Sequence, residues 1–325
     1  EIFPHLGISA TNGEKAILFG YIINKLLSTV VGLRTVDNID NYANKRIDDT
    51  GLLCKDLFRT LFKQYISLIY KKLEKKGNRP DVLTIINKET SITRGMKYCF
   101  STGNWGGRKN TYIRQGVSQI LSRLTWASVI SHLRRLMLPV GKEGKNIAIR
   151  MIHSSQNFYI CPVESPEGAA AGIVLNFAFL TRISTSMPTV LVKEAIGSIK
   201  EIIPIMLIQK SQLENYTYVF INGILIGMTQ DVDTVLLQLK ERRRTNLLNY
   251  DVSISYDEID NEIKIQSDAG RMLRPLFAIN DGVMSFTKEH ETWSWDKLVC
   301  EGIIQYIDNS EIEGCVIAMS PDESK

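Results

Sequence analysis

The chain has 325 residues with a formal net charge of +4, 44% hydrophobic and 23% charged residues. That is ordinary globular usage, long enough for two or three domains with their own cores, and it excludes a disordered or fibrous protein. The longest uncharged apolar run, Gly168 to Thr181, has 14 residues, short of the ~20 that a membrane-spanning helix requires. Five scattered cysteines form no CxxC pair, which argues against a zinc site and for reduced thiols in an intracellular setting. The first residue is Glu1, and no basic, apolar leader follows it, as expected for a segment of a longer protein.

In chain order, Thr11 or Asn12 is placed to cap a helix from about Glu14 to Val31, with Gly32 as its stop. The polar stretch Asp37 to Asp49 separates it from a second helix, Leu52 to Lys76. There Leu53, Leu57, Leu61 and Leu68, beside Phe58, Phe62, Tyr65 and Ile69, give one broad buried face. Residues 116–138 show a helical pattern again, with Leu121, Leu124, Val129 and Leu133 packing inward and Pro139 as the stop. Ile147 to Ile152 and Phe158 to Cys161 read as short strands. From about residue 190 the pattern becomes β-rich α/β. VFINGILIG predicts a hairpin around Asn222-Gly223, a short helix runs from about Val232 to Arg243, and strands alternate through VSISYDEIDNEIKIQ.

Charge is distributed unevenly. Residues 90–142 hold nine Lys/Arg and no Asp or Glu; the rest of the chain has 30 basic against 35 acidic residues. The last 75 residues reverse the bias, 16 acidic against six basic. Two modules are expected, one facing a polyanion and one facing solvent or protein. The basic window has two readings, a solvated face or a phosphate-binding one. On the helix from about Ser118, Gln119 and Arg123 share a face, as do His132 and Arg135, and such groups track a nucleic-acid backbone. Arg134 or Arg135 can equally pair with an acid elsewhere. The glycines of GNWGG with Trp105, Arg108, Lys109 and Arg114 suit a flexible basic loop.

Other chemistry is thinly supported. No GxxxxGK[ST] or GxGxxG is present, so a Walker or Rossmann loop is absent. Cys161 with His153 and Glu164 makes a poor triad, because an apolar-strand cysteine before a proline is usually inert. Glu164 and Glu167, three residues apart in ESPEG, are open to acid/base work, a metal, the orienting of nearby arginines or the capping of the next segment. Two carboxylates seldom hold an ion alone.

Read together, TGNW, GVSQILSRLTWASVISHLRRLMLP, CPVESPEGAAAGIVLN, VFINGILIG, SDAGRMLRPLF and EGIIQYID resemble the second-largest subunit of multisubunit DNA-directed RNA polymerases, of the eukaryotic and archaeal type. FPHLG and DNIDNYANKRID at the start resemble the same family. The chain departs from the family pattern at Ser165, Tyr159, Leu175, Asn41 and Ala43, as a divergent homologue from a large DNA virus would. Leu175 stands where a Lys is usual, which removes a polar contact.

The resemblance implies a mixed α/β multidomain segment of a larger polymerase subunit, with a helical protrusion and fork region followed by β-rich external domains. Residues 1–50 would end the protrusion, 51–188 form the fork, 189–268 an external 1-like domain and 269–325 the start of an external 2-like domain. The implied task is to line the channel for downstream DNA and the RNA–DNA hybrid. Arg108, Lys109, Arg114, Gln119, Arg123, His132, Arg134 and Arg135 would touch nucleic acid, and Ser131, Glu164 and Glu167 would support the fork near the active centre. Catalytic residues and the Mg2+ of the whole enzyme are expected outside this segment. Implied partners are the largest subunit, the smaller subunits, template DNA and nascent RNA, in nucleus or cytoplasm, or in the virion for a viral homologue; no membrane is expected. The alternatives are a stand-alone nucleic-acid-binding module and a protein whose basic face docks an acidic partner.

Overall fold

A computed structural model describes residues 2–7, 10–76, 81–105, 114–141, 144, 146–208, 215–280, 282–320 and 323. Arg108 and Lys109 lie outside the described residues. The chain forms two compact units: residues 1–47, 153–160 and 178–325 make unit 1, and residues 48–152 and 161–177 make unit 2.

Helix α1 (Asn12–Val31) belongs to unit 1. Its start is the expected one: Thr11 accepts from the Glu14 N–H, and the Glu14 carboxylate accepts from the Thr11 N–H at 2.9 Å. This reciprocal capping box satisfies two otherwise orphaned donors, and left-handed Gly32 ends the helix.

Unit 2 follows with α2 (Thr50–Lys76), α3 (Val82–Lys88), α4 (Ser91–Thr102) and α5 (Trp126–Leu133). Strands β1 (Arg135–Met137) and β2 (Val174–Asn176) pair antiparallel. Its core joins Leu57, Cys99 and Trp105, with Leu53, Leu61, Met96 and Val117 packed against them. Two expectations fail here. The helix of residues 116–138 shrinks to α5, because Thr125 and Ser128 cap each other and start the helix at Trp126. At Arg135 the ladder with β2 takes over. Ile147 to Ile152 and Phe158 to Cys161 are not strands; Ala148–Arg150 is a 3-10 turn, and residues 157–159 form a turn.

Unit 1 resumes with β3 (Arg182–Ile183), α6 (Thr189–Ile196), β4 (Thr217–Ile221), β5 (Ile224–Thr229) and α7 (Val232–Arg244). Then come β6 (Ser253–Asp257), β7 (Glu262–Gln266), β8 (Met272–Phe277), β9 (Ile279–Asn280), β10 (Val283–Met284), α8 (Trp295–Cys300), β11 (Ile304–Asp308) and α9 (Asn309–Ile312). One sheet has the order β5-β4-β7-β6 and another β11-β8-β3. The hairpin β4–β5 turns at Asn222 (φ 49°) and Gly223 (φ 79°), both left-handed as a type I′ turn requires. Val219, Ile221, Ile263 and Ile265 of the four-stranded sheet meet Val192, Ile196, Val235 and Leu239 from α6 and α7 in the main core. No helix among the described residues is long and apolar enough to cross a membrane, and the five cysteines form no disulfide.

Candidate nucleic-acid interface

The expected charge asymmetry sorts by unit. Unit 2 has 20 Lys/Arg against nine Asp/Glu, a net of +11, which leaves 19 against 26, or −7, in unit 1. The last 75 residues lie wholly in the acidic unit.

In unit 2 the residues on either side of 106–113 are tied together. Trp105 and Arg114 exchange both backbone hydrogen bonds at 2.9 Å. The indole of Trp105, 7% exposed, donates to Ser118 Oγ at 2.7 Å and meets Phe100 edge-on at 5.1 Å. Gly103 caps α4 at φ 72°, and a Cβ there would come within 2.6 Å of the Ser118 carbonyl oxygen, so only glycine allows the chain at Ser118 this close. The Arg114 guanidinium pairs with Asp48, which gives it an internal acid as well as partial exposure.

Gln119 and His132 meet, though not along one helix. Residues 114–124 are non-helical, and the contact crosses from that segment to α5. The Ser122 N–H donates to His132 Nδ1 at 3.0 Å, which makes Nδ1 an acceptor and leaves the proton on Nε2. Nε2–H then donates to Gln119 Oε1 at 3.0 Å, and Gln119 Nε2 donates to the Gly116 carbonyl at 2.9 Å. Both side chains are thus oriented by the backbone before any ligand arrives.

The arginines divide. Arg134 ends α5, with its guanidinium 5.7 Å from the Phe177 ring centroid. Arg135 opens β1 opposite Asn176 and is exposed. Arg123 is exposed too, and neither Arg123 nor Arg135 makes an ion pair among the described residues. The pairing of Gln119 with Arg123 on one helix face is therefore corrected. So is the inward packing of Leu124 and Leu133, which are 89% and 71% exposed; Leu121 and Val129 are half-buried.

Glu164 accepts from the Ser131 hydroxyl, and its carbonyl accepts from Asn176 Nδ2 at 3.1 Å. Glu167 precedes the 3-10 turn Gly168–Ala170 without capping it through its side chain. The two glutamates are not drawn into a shared metal group. Sequence reasoning missed Asn176, which is 3% exposed. Its signal was there, as a lone amide inside the apolar run Gly168 to Thr181. Leu175 sits opposite Leu136 in the β1–β2 ladder, an apolar cross-strand pair.

One group of three carboxylates among the described residues lies close enough to share an ion: Asp257, Asp260 and Glu262 of unit 1, within 4.8 Å. Lys25 reaches Asp260 at 2.8 Å and Glu262 at 2.6 Å, Arg34 pairs with Asp260, and Lys264 reaches Asp257 at 2.6 Å. Three cations already balance three anions, so the group does not fit a catalytic divalent ion.

Four family profiles match the chain in order: RNA polymerase Rpb2 domain 2 over residues 1–48, domain 3 over 119–183, domain 4 over 219–280 and domain 5 over 295–325. Similar proteins include the probable DNA-directed RNA polymerase II subunit RPB2 homolog of Invertebrate iridescent virus 6, 37% identical over 351 residues, which covers 98% of this chain and 29% of that protein. The DNA-directed RNA polymerase II subunit RPB2 of Encephalitozoon cuniculi is 37% identical over 344 residues, 100% of this chain and 30% of that protein. DNA-directed RNA polymerase subunit Rpo2 of Sulfolobus acidocaldarius is 32% identical over 340 residues, 98% of this chain and 30% of that protein. The chain therefore spans somewhat under a third of the length of these relatives. With four consecutive domain profiles matched in order, the chain belongs to the RNA polymerase Rpb2 family, the second-largest polymerase subunit.

Proposed function

We propose that the chain lines the channel of a multisubunit DNA-directed RNA polymerase, with unit 2 facing downstream DNA and the RNA–DNA hybrid. The observation that carries this reading is the pair Arg123 and Arg135, exposed and without ion pairs among the described residues, inside a window with no acid. Such a surface holds phosphates without reading bases, as an enzyme that moves along any sequence requires. Gln119 and His132, held by Gly116 and Ser122, add oriented polar groups beside it. Arg114 and Arg134 contribute charge while fastened to Asp48 and Phe177. Ser131, Glu164 and Glu167 support the fork.

Nucleotidyl transfer in such an enzyme would draw on bound divalent metal ions for Lewis-acid charge stabilisation. No residue of this chain is assigned to that step, and Mg2+ belongs to residues outside it. The partners are the largest subunit, the smaller subunits, template DNA and nascent RNA. The setting is the nucleus or cytoplasm, or the virion for a viral homologue. The relatives, themselves named as polymerase subunits, support the assignment to a polymerase.

The test is the salt dependence of elongation-complex dissociation in the assembled polymerase. Arg123→Ala and Arg135→Ala are each expected to make the slope shallower by about 0.7–0.9 for every phosphate no longer neutralised. Lys288→Ala and Lys297→Ala in the acidic unit leave it unchanged. An unaltered slope in both arginine variants refutes the reading.

A further inference from the structure

Arg150 closes a joint within unit 2 between segments distant in sequence. Its Nη1 donates to the carbonyl oxygens of Ala169 at 2.7 Å and Ala171 at 2.8 Å, and Nη2 donates to that of Gly144 at 3.1 Å. On the other side, the backbone of Arg150 lies against Gly172. A Cβ on that residue would come within 2.6 Å of the Arg150 carbonyl oxygen and 2.7 Å of its Cα, and its φ is +73°. Residues 169–172 are thus held by a guanidinium at one end and by a wall of backbone at the other.

The held segment leads straight into the basic face. The Leu138 N–H donates to the Ile173 carbonyl at 3.0 Å, and the next three residues form β2, which places Asn176 opposite Arg135. On the N-terminal side of the same turn, Glu164 accepts from Ser131, the neighbour of His132. Asn176 Nδ2 links the two ends through the Glu164 carbonyl. A planar fork of five donors can meet three carbonyls spread across two loops, whereas an ammonium is a compact point charge.

We propose that Arg150 is a positioning residue for nucleic-acid handling. It fixes residues 169–172, and through them the register of Arg135 and the Glu164–Ser131 contact. The inference rests on the channel-lining reading above. It predicts that the shape of the side chain matters and that a positive charge alone does not suffice.

The experiment compares Arg150→Lys, Arg150→Ala and Gly172→Ala in the assembled polymerase carrying the full-length subunit. Arg150→Lys is expected to slow transcript elongation as much as Arg150→Ala, on the order of ten- to a hundredfold for misplaced groups. Gly172→Ala, which opens the joint from the opposite side, gives the same defect. Limited proteolysis within residues 164–172 rises in all three. The salt slope of complex dissociation becomes no shallower than in Arg135→Ala, because Arg135 is the one phosphate-binding cation whose position the joint sets. If Arg150→Ala fails to assemble, the lysine variant carries the comparison. Wild-type elongation in Arg150→Lys overturns the proposal in favour of no role, and a slope in Arg150→Ala shallower than in Arg135→Ala overturns it in favour of a direct phosphate contact. Either result beside a shallower slope in Arg135→Ala defeats the positioning role alone. A wild-type slope in Arg123→Ala and Arg135→Ala defeats the channel-lining reading itself.

Discussion

Replacing Asp260 by Asn is expected to release α1 from the four-stranded sheet, and the cost follows from the ion cluster around it. The Asp260 side chain is 4% exposed. Burial pushes its carboxyl up, but hydrogen bonds from Arg34 and Lys25 outweigh this and hold it at about 2 instead of 3.8. A shift of that size corresponds to about 2.4 kcal/mol at one pKa unit per 1.36 kcal/mol. Allowing for the screening of partly exposed Lys25, about 1–2 kcal/mol is the usable figure. Because the folded value is depressed, this contribution is full above about pH 4 and disappears as the pH falls toward 2. Asp257 is also held below its ordinary value: burial pushes it up, and the Lys264 hydrogen bond outweighs that, so it acts in the same direction. Glu262 does the opposite. Burial raises its carboxyl above the ordinary value, so its contribution is present at low pH and is lost as the pH rises through that raised value. Hydrogen exchange of the α1 amides reads the effect locally. Asp260→Asn should lower their protection about five- to thirtyfold at pH 7, with the gap to wild type closing by about pH 2. Equal protection at pH 7, or a gap that persists at pH 2, refutes the reasoning.

Other consequences are checked by unfolding measurements. Arg243 and Glu311 form a double hydrogen bond at 2.7 Å with side chains 3% and 4% exposed, so Glu311→Ala should cost about 3–5 kcal/mol in urea unfolding of the chain. Arg243→Met with Glu311→Leu should recover most of that loss, since removing both charges leaves none buried alone. Trp105→Phe keeps the ring but loses the bond to Ser118, for about 1 kcal/mol, whereas Trp105→Ala should cost about 3–5 kcal/mol; comparable losses would mean that the indole N–H carries the site. Leu124→Ser and Leu133→Ser should change stability by less than about 0.5 kcal/mol, because both side chains are exposed. A large loss from either would restore the inward-packing expectation.

Local chemistry made much of the fold legible. The Thr11 capping box, the Gly32 stop and the Asn222-Gly223 turn each follow from side-chain groups within four residues, so the sequence contains the whole cause. The same is true of the apolar alternation in β6 and β7. The failures share a different origin. Residues 116–124 carry a helical apolar spacing, yet a serine at position 128 caps Thr125 and His132 captures the Ser122 N–H. Ile147 to Ile152 looks like a strand, but the Arg150 guanidinium collects carbonyls 19 and 21 residues away. A tertiary hydrogen bond of that span has no local signature. The expected pairs, Gln119 with Arg123 and His132 with Arg135 on one helix face, give way to Gln119 meeting His132 across a loop and a helix.

The charge distribution shows why an acid-free window is a better indicator of function than a count of basic residues. Acids are plentiful in unit 1 and are engaged with its own cations: Asp260 and Glu262 hold Lys25, Asp268 holds Arg46 and Arg271, Asp308 holds Arg271, and Glu311 holds Arg243. Basic residues there stabilise the fold. In unit 2 the acids are few, and two of them hold cations, Asp48 with Arg114 and Glu89 with Lys72 and Arg94. None of them lies within residues 90–142. A cation whose sequence neighbourhood contains no acid must find its partner through tertiary structure, as Arg114 does, or remain available to a ligand, as Arg123 and Arg135 do. Added salt therefore separates the two uses. It weakens exposed internal pairs such as Arg114–Asp48 only modestly, because each was worth little. Phosphate binding by several cations falls as a power of the salt concentration. A polymerase assembled around this chain should lose nucleic acid at salt concentrations where both units remain folded.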